Sequence, residues 1–130
     1  MKREIKFEVC IRRKDGSDLY YETLTLDDLL NRNGSLYNPS VQEIVYKREF
    51  TGLLDKNGKE TYEGDIVSYK WEDRDNVFEI VNHIIKWIDG KFLMCPIKSD
   101  IRTWNIHISP YITESEVIGN LFETPELLNQ

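Results

Sequence analysis

The chain has 130 residues, which is long enough to bury a core in one domain. Hydrophobic residues make up 40% of it and charged residues 31%, a balance that excludes a disordered chain and is typical of a globular protein. The formal net charge of −6 falls in residues 51–130, which hold eight Lys or Arg and fourteen Asp or Glu. An acidic surface repels phosphate backbones, so the charge disfavours nucleic acid as a partner unless a local basic patch exists.

The two cysteines, Cys10 and Cys95, predict a reducing compartment. They form no CxxC pair and have no histidine at metal-ligand spacing, so neither a disulfide framework nor a zinc site is indicated. The first seven residues alternate charged with apolar side chains, unlike a secretory signal, and no apolar run is long enough to span a bilayer. We therefore expect a cytoplasmic protein with no membrane partner and no cofactor.

The N-terminus is predicted to open as a β-hairpin. Ile5 to Ile11 alternate apolar with polar residues, which indicates a strand with one buried face, and Cys10 falls on its polar face. Lys14 to Ser17 form the turn, and Leu19 to Leu24 form the second strand. The basic run Arg12 to Lys14 at this turn is interpreted as a solvated tip and not as a binding site.

A short helix is predicted next, from an N-cap candidate at Thr25 to a stop at Gly34, and a loop follows as far as Pro39. Ser40 satisfies the start of a capping box, so a second helix is possible there. Ile44 to Phe50, however, are β-branched or aromatic at alternate positions, which favours a strand.

The stretch from Thr51 to Val67 is the most informative part of the chain. It combines an Asn57-Gly58 hairpin signal with a Gly64-Asp65 turn that leads into a strand from Ile66 to Trp71. Asp55 and Asp65 lie beside these turns, where an aspartate commonly accepts hydrogen bonds from main-chain N–H groups. Gly58 and Gly64 are predicted to need a positive φ.

The remaining strands follow the same alternation, with Asp89-Gly90 as a two-residue hairpin turn. They are predicted at Val77–Val81, Ile84–Ile88, Lys91–Cys95, Trp104–Ile108 and Glu116–Phe122, before a short helical turn from Thr124 to Leu128. Short strands with one or two brief helices indicate a mainly β fold, a small antiparallel barrel or a strongly curved sheet. Residues 1–43 would form a hairpin and helix packed on a barrel-like body of residues 44–130.

No catalytic or metal-binding cluster is evident. His83 and His107 lack a neighbouring nucleophile or acid pattern, so a structural or surface role is favoured for both. Glu72, Asp73 and Asp75 lack the spacing of a calcium loop and are interpreted as a solvated turn. The sequence also lacks a glycine-rich phosphate-binding loop.

Aromatic residues are the remaining functional candidates, since aromatics displayed on a small β fold stack on bases or anchor a protein partner. Most are expected in the core, and Trp71 shares its alternation with Val67 and Tyr69, which favours a common buried face. The candidates are Tyr69, Trp71, Trp87, Phe92, Trp104 and Tyr111.

Three segments resemble the YopX-like family of phage and prophage proteins: residues 3–7, residues 51–67 and residues 117–128. The chain departs from the family at residues 8–11, where members often carry an Arg-Ala-Trp-Asp-like segment. The resemblance implies a mainly β fold and a mobile-element origin in a bacterial cytoplasm, and it brings no activity, cofactor or catalytic residue. Its motif residues here are Thr51, Gly52, Leu53, Asp55, Asn57, Gly58, Tyr62, Gly64, Asp65, Ile118, Gly119 and Asn120.

Three functions remain open at this point. The first is a non-enzymatic β module that binds a protein partner or associates with itself. The alternative is binding of single-stranded nucleic acid through an aromatic face. The third is a hydrolase, which would require Asp55, Asp65 and a histidine to converge.

Overall fold

The computed structural model describes residues 4–25, 27–28, 40–72, 78–98 and 105–129. The chain forms two compact units, Met1–Gly52 and Leu53–Gln130. Nearly all of the regular structure is antiparallel β, which confirms the predicted fold class. The described strands form open sheets and not a closed barrel. The packing of residues 1–43 on a 44–130 body stays a prediction.

The first unit contains a three-stranded antiparallel sheet in the order β2-β1-β3. Its strands are β1 (Lys6–Arg13), β2 (Leu19–Thr25) and β3 (Gln42–Leu54), the last of which runs on into the second unit. Val9, Ile11 and Leu24 form the buried cluster on one face. The predicted hairpin between β1 and β2 is confirmed, and the Asp15 carboxylate caps its turn by accepting the main-chain N–H of Ser17 at 2.8 Å.

The opposite face of β1 is less polar than the alternation predicts. Cys10 is only 2% exposed, although it was assigned to the polar face. In register it lies between Tyr21 on β2 and Tyr46 on β3, whose ring centroids are 6.4 Å apart. Side chains directly opposite each other in a ladder lie on the same face, so the two tyrosines flank the thiol and both faces of the strand are covered at this point.

The predicted N-cap at Thr25 is confirmed by a reciprocal pair of hydrogen bonds. The Thr25 hydroxyl accepts the main-chain N–H of Asp28 at 3.1 Å, and the Asp28 carboxylate accepts that of Thr25 at 2.9 Å. This is the geometry of a capping box. The body of the predicted helix, residues 29–34, lies outside the described residues, as does the loop to Pro39.

Strand β3 is longer than predicted, because it begins at Gln42 and continues through the first residues of the central motif to Leu54. The alternative of a helix opening at Ser40 is wrong. Gln42 and Glu43 pair with Arg13 and Arg12 of β1, and this cross-strand pairing overrides the local capping signal.

The second unit is built on a five-stranded antiparallel sheet in the order β8-β7-β6-β5-β9. Its strands are β5 (Asp65–Glu72), β6 (Phe78–Ile88), β7 (Lys91–Pro96), β8 (Ile106–His107) and β9 (Glu116–Asn120), while β4 (Glu60–Tyr62) pairs with the end of β3. A helical turn at Ile108–Tyr111 runs into a 3-10 turn at Ile112–Glu114, and a second 3-10 turn spans Pro125–Asn129. The predicted Asp89-Gly90 hairpin is confirmed, with φ of 52° and 80°.

Four of the strands predicted in the second unit differ in extent from the observed ones. The strands predicted at Val77–Val81 and Ile84–Ile88 merge into one continuous strand, β6 (Phe78–Ile88), in which His83 is buried, and Val77 lies outside the described residues. The strand predicted at Trp104–Ile108 shrinks to two residues, since Ile108 begins the helical turn, and Trp104 lies outside the described residues. Strand β9 ends at Asn120, because the side chain of Asn120 accepts the N–H groups of the next turn.

Both faces of the five-stranded sheet carry apolar clusters. The larger cluster contains Val67, Tyr69, Ile85, Phe92, Met94, Ile108 and Ile112, with Leu53, Trp71, Ile106, Tyr111 and Val117 packed against it. The smaller one, on the opposite face, contains Ile84, Leu93 and Cys95, and Leu128 of the last 3-10 turn packs on it. No helix within the described residues is long and apolar enough to cross a membrane.

Gly119 shows how closely the C-terminal turn sits on this sheet. A Cβ atom at this position would collide with Thr124 Oγ1 and lie 2.8 Å from Leu127 Cδ1. We expect Gly119→Ala to lower the free energy of unfolding by more than about 1 kcal/mol, as overpacking of a closed site does. Urea unfolding followed by fluorescence tests this, with Glu116→Ala as the control.

Glu116 lies in the same strand, and its ion pair with Lys56 is half exposed at 3.7 Å, so its loss should matter little. Equal stability of Gly119→Ala and the wild type would show that the C-terminal turn moves away freely.

Candidate functional site

The loop from Asp55 to Lys59 is organised by the carboxylate of Asp55. Its Oδ1 accepts the main-chain N–H groups of Asn57 at 2.8 Å and Lys59 at 2.9 Å, while Oδ2 accepts that of Val117 at 3.0 Å. The turn closes with Gly58 N–H donating to Asp55 O at 3.0 Å, and Gly58 has the predicted positive φ of 78°. The Asn-Gly pair therefore forms a three-residue loop with glycine at its left-handed position.

Burial of Asp55 acts to raise its pKa, but the hydrogen bonds from Val117, Lys59 and Asn57 outweigh it, with help from the charge of Lys59. The pKa of this carboxyl therefore lies below its ordinary value of 3.8. A carboxylate that accepts three main-chain donors is held ionised, and most of its acceptor capacity is used by these bonds. Asp55 acts as a clamp between the loop and β9, and its geometry does not suit a general base.

The second turn of the motif is fixed in a similar way. Asp65 is 2% exposed, and its Oδ2 accepts the main-chain N–H of Tyr62 at 2.8 Å. Gly64 between them has a φ of 86°, and a Cβ atom on it would lie 2.9 Å from the ring of Phe122. Glycine is required there both by the backbone conformation and by the ring that covers it.

Asn120 organises the closing segment. Its Oδ1 accepts the N–H groups of Phe122 at 2.9 Å and Glu123 at 2.8 Å, which turns the chain out of β9. Its own N–H donates to Thr124 Oγ1 at 2.9 Å, and its carbonyl accepts the Thr124 N–H at 2.9 Å. These bonds place the last 3-10 turn over Gly119.

The central and closing motifs, distant in sequence, meet along β5 and β9. Asp65 pairs with Asn120 in the ladder, Leu121 N–H donates to Gly64 O at 2.8 Å, and Lys56 N–H donates to Ser115 O at 2.9 Å. Motif residues of the second unit are thus brought together, and the side chains of Asp55, Asp65 and Asn120 bind main-chain groups.

What this junction displays to solvent is apolar. Leu121 and Phe122 are 38% and 39% exposed, and Trp87 at the end of β6 is 45% exposed. Together with Glu63 and Gly64 they border a hollow of about 270 Å³ alongside residues 84–88, here called the Phe122 hollow. Sequence reasoning did not single out Leu121, Phe122 or Lys86. The sequence predicts a strand as far as Phe122, whereas β9 ends at Asn120 and leaves Leu121 and Phe122 at the surface.

A second hollow of about 290 Å³ adjoins the first on the sheet face that carries Leu93 and Cys95. We call it the Leu128 hollow; it is lined by Ile84, Lys86, Pro96, Ile97, Leu121 and Leu128. The two hollows share Ile84, Lys86 and Leu121 and form one groove, the β6 groove. Lys86, which is exposed, is the cation common to both.

The two histidines are apart from this groove. His83 is fully buried, its Nδ1–H donates to Val81 O at 3.1 Å, and its Nε2 has no hydrogen-bond partner among the described residues. His107 is exposed on β8. Neither histidine bonds to Asp55 or Asp65, so the convergence that a hydrolase would require is not found among the described residues. No group of three His, Cys, Asp or Glu side chains that could hold a metal ion occurs in these parts of the chain.

Most of the aromatic candidates pack on one another. The ring centroid of Trp71 lies 4.8 Å from that of Tyr69 and 5.8 Å from that of Tyr111. Tyr69 belongs to the larger core cluster and Trp71 and Tyr111 pack against it, so Val67, Tyr69 and Trp71 share a face as their alternation predicts. Phe92 is buried beneath Trp87, with centroids 4.7 Å apart. Among the described candidates, Trp87 is the aromatic most open to solvent.

The other candidate clusters lie elsewhere. Arg12 is paired with Glu43 through Nε at 2.8 Å, and Arg13 lies 3.6 Å from Asp18, so the basic tip is largely neutralised by its neighbours. Glu72 ends β5, while Asp73 and Asp75 lie outside the described residues. Cys95 is buried in the smaller core cluster, and that burial raises the pKa of its thiol.

Comparison with known proteins agrees with the resemblance noted in the sequence. The family model described as YopX protein matches residues 3–129. Among solved structures, protein EF1440 from Enterococcus faecalis is similar over 95% of this chain and 97% of its own, with 25% identity and a TM-score of 0.51. None of the curated proteins matches the sequence.

Removal of the Asp55 carboxylate should leave three main-chain N–H groups without an acceptor. Since each such loss typically costs about 1–3 kcal/mol, we expect Asp55→Ala to lower the free energy of unfolding by at least about 2 kcal/mol.

Asp55→Asn should free chiefly the Val117 amide, which hydrogen exchange followed by NMR would detect as faster exchange. Because the folded pKa is depressed, the advantage of wild type over Asp55→Asn is present above pH 3.8 and is lost as the pH falls through the folded pKa.

Asp15→Asn is the matched control, because Asp15 caps a similar turn at an exposed hairpin tip. We expect its urea midpoint to stay close to that of the wild type. A midpoint for Asp55→Ala that is no lower than that of Asp15→Asn would contradict the clamp.

The buried His83 should make the protein sensitive to mild acid. Burial lowers its pKa from 6.5 to about 4, although the bond to Val81 acts in the opposite direction. Below pH 6.5 the unfolded chain therefore binds a proton at His83, whereas the folded chain binds it only near pH 4. The free energy of unfolding consequently decreases as the pH falls through this window. We expect His83→Met to gain up to about 3 kcal/mol relative to wild type between pH 7 and pH 4. Urea unfolding of both proteins at several pH values measures this difference, and a difference independent of pH would refute it.

Proposed function

Since this chain belongs to the YopX family, we propose that it is a non-enzymatic protein-binding module of a phage or prophage that acts in the cytoplasm of the bacterial host. The origin and the compartment rest on the family resemblance and on the two free cysteines. The partner is another protein or a second copy of this chain.

One observation carries the proposal: the junction of the two family motifs presents an apolar groove to solvent. Trp87, Leu121 and Phe122 are each more than a third exposed and lie around the same hollow. Apolar side chains gathered on a surface in this way mark protein interaction sites, and tryptophan is among the residues that contribute most to binding there.

The polar residues of the motifs support a binding function over a catalytic one. Asp55 and Asn120 use their side-chain oxygens to hold main-chain N–H groups, and Asp65 is buried with the same role. General acid or base catalysis requires a group that can exchange a proton with a bound substrate. These three side chains instead stabilise the surface on which the apolar residues stand.

A second candidate function, binding of single-stranded nucleic acid, is favoured by one specific observation. Trp87 is exposed at the end of β6, and Lys86 and Lys91 lie at the same hairpin, on the opposite face of the strands. An aromatic ring with neighbouring lysines is the unit on which bases stack. The net charge of −6 and the mutual packing of Tyr69, Trp71 and Tyr111 act against this candidate.

We expect the wild-type protein to form a stoichiometric complex, either with itself in sedimentation velocity or with one protein captured from lysogenic or infected cells. Leu121→Asp places a charge in the groove and should weaken that complex at least about tenfold. Leu54→Asp is the matched control, because Leu54 is also exposed but lines neither hollow, and it should bind like the wild type.

A wild-type protein that stays monomeric up to about 100 µM and captures no stoichiometric partner would refute the proposed function. A labelled oligothymidylate of 20 nucleotides tests the second candidate. Binding that weakens with salt and is lost in Trp87→Ser would move the assignment to nucleic acid.

A further inference from the structure

Strand β6 extends past the start of its neighbour β5. The ladder between them begins at Ile66 and Ile84, and the last main-chain bond on this side is from Gly64 N–H to Ile85 O at 2.8 Å. Residues 86–88 of β6 continue beyond that point, paired with β7 on the other side. The end of β6 is thus a short strand edge that borders the Phe122 hollow.

The main chain of Trp87 faces this open edge. N–H and C=O groups of alternate residues in a strand point to the same side, so those of Trp87 point the same way as the Ile85 carbonyl, which bonds to Gly64. The N–H and C=O groups of Lys86 and Ile88 point the other way, towards β7, where these residues lie opposite Leu93 and Lys91. Within the described residues, no main-chain partner reaches Trp87 from the open side.

The size of the hollows suits side chains better than a free small molecule. Each encloses less than 300 Å³, which is below the usual range of small-molecule sites but sufficient for one or two apolar side chains. The hollows are adjacent, since Ile84, Lys86 and Leu121 line both. In an extended peptide the side chains of residues i and i+2 lie on one face about 6.6 Å apart, a spacing that suits two adjacent hollows.

The charges around the groove indicate what else the occupant carries. Lys86 lines both hollows and Lys91 lies on the same face, diagonally across the hairpin, while Glu63 lines the Phe122 hollow alone. Neither lysine forms an ion pair with any described residue, although the chain as a whole is acidic. A carboxylate on the occupant would be complementary to these two ammonium groups.

We propose that the β6 groove binds an extended segment of a partner protein, with apolar side chains at positions i and i+2 in the two hollows and an acidic residue beside Lys86. The segment adds as a short strand along β6, bonded to the N–H and C=O of Trp87, which is the β-augmentation mode of peptide recognition. This inference rests on the proposed protein-binding function. It names the partner's chemistry and the face that receives it.

The test uses a display library of random nine-residue peptides panned on the full-length protein. We expect the selected peptides to carry apolar residues two apart and an Asp or Glu next to them. In fluorescence anisotropy, Lys86→Glu should weaken the selected peptides at least tenfold, and replacing their acidic residue by lysine should restore binding to that variant. Lys47→Glu, which changes an exposed strand lysine outside the groove, should bind within twofold of the wild type. Circular dichroism checks that both variants are folded.

Hydrogen exchange followed by NMR gives a second measurement, because the Trp87 amide should exchange more slowly when the peptide binds as a strand. Electrostatic attraction between peptide and lysines alone would not change that exchange rate.

No enrichment of peptides, enrichment of basic peptides, or equal binding to wild type and Lys86→Glu would each overturn the inference. If a native complex exists but survives Lys86→Glu and is not displaced by the peptides, the groove assignment fails while the proposed function stands. If the peptides bind as expected but the protein forms no native complex, the groove assignment stands and the proposed function fails. Self-association abolished by Lys86→Glu without any peptide enrichment would make a second copy the occupant and overturn the partner assignment.

Discussion

The carboxylate of Asp55 is the contact on which the second unit depends most. It accepts N–H groups from its own loop and from Val117, which lies 62 residues further along the chain. A buried carboxylate is costly unless it is hydrogen bonded, and three main-chain donors meet that requirement while they fix the loop against β9. Once β9 is held beside β5 in this way, Asn120 ends the strand and directs Leu121 and Phe122 to the surface.

The residue types in the family motifs are therefore explained by close packing and by hydrogen bonds at turns. Gly64 and Gly119 are positions where a side chain would collide with Phe122 in one case and with Thr124 and Leu127 in the other. Asp55, Asp65 and Asn120 each replace a missing main-chain acceptor at a turn. The segments that identify the family in the sequence shape the groove and also line part of it, through Gly64, Leu121 and Phe122. Lys86 and Trp87, which line the same groove, lie outside those segments.

The sequence predicted the strands well where alternation is strong and the turn chemistry is explicit. The Asp89-Gly90 hairpin and the Thr25 cap follow from local rules, since each involves residues only a few positions apart. The prediction of two separate strands at Val77–Val81 and Ile84–Ile88 is wrong. Burial of a neutral imidazole bonded to Val81 allows β6 to continue through His83. The prediction failed again at Cys10, because covering of the second face of β1 by Tyr21 and Tyr46 depends on strand register and not on local pattern.

The sequence by itself determined the mainly β class, most turns and the family, because these depend on period-two alternation and on glycine, aspartate and asparagine at fixed offsets. Only the tertiary structure decided which polar side chains accept hydrogen bonds from main-chain N–H groups and which apolar side chains stay exposed. Leu121 and Phe122 read as strand residues in sequence and become surface residues because of a bond made by Asn120. Likewise, the open edge at Trp87 exists because β6 extends beyond the start of β5. How far one paired strand extends beyond the other depends on their register, which the local sequence pattern does not give.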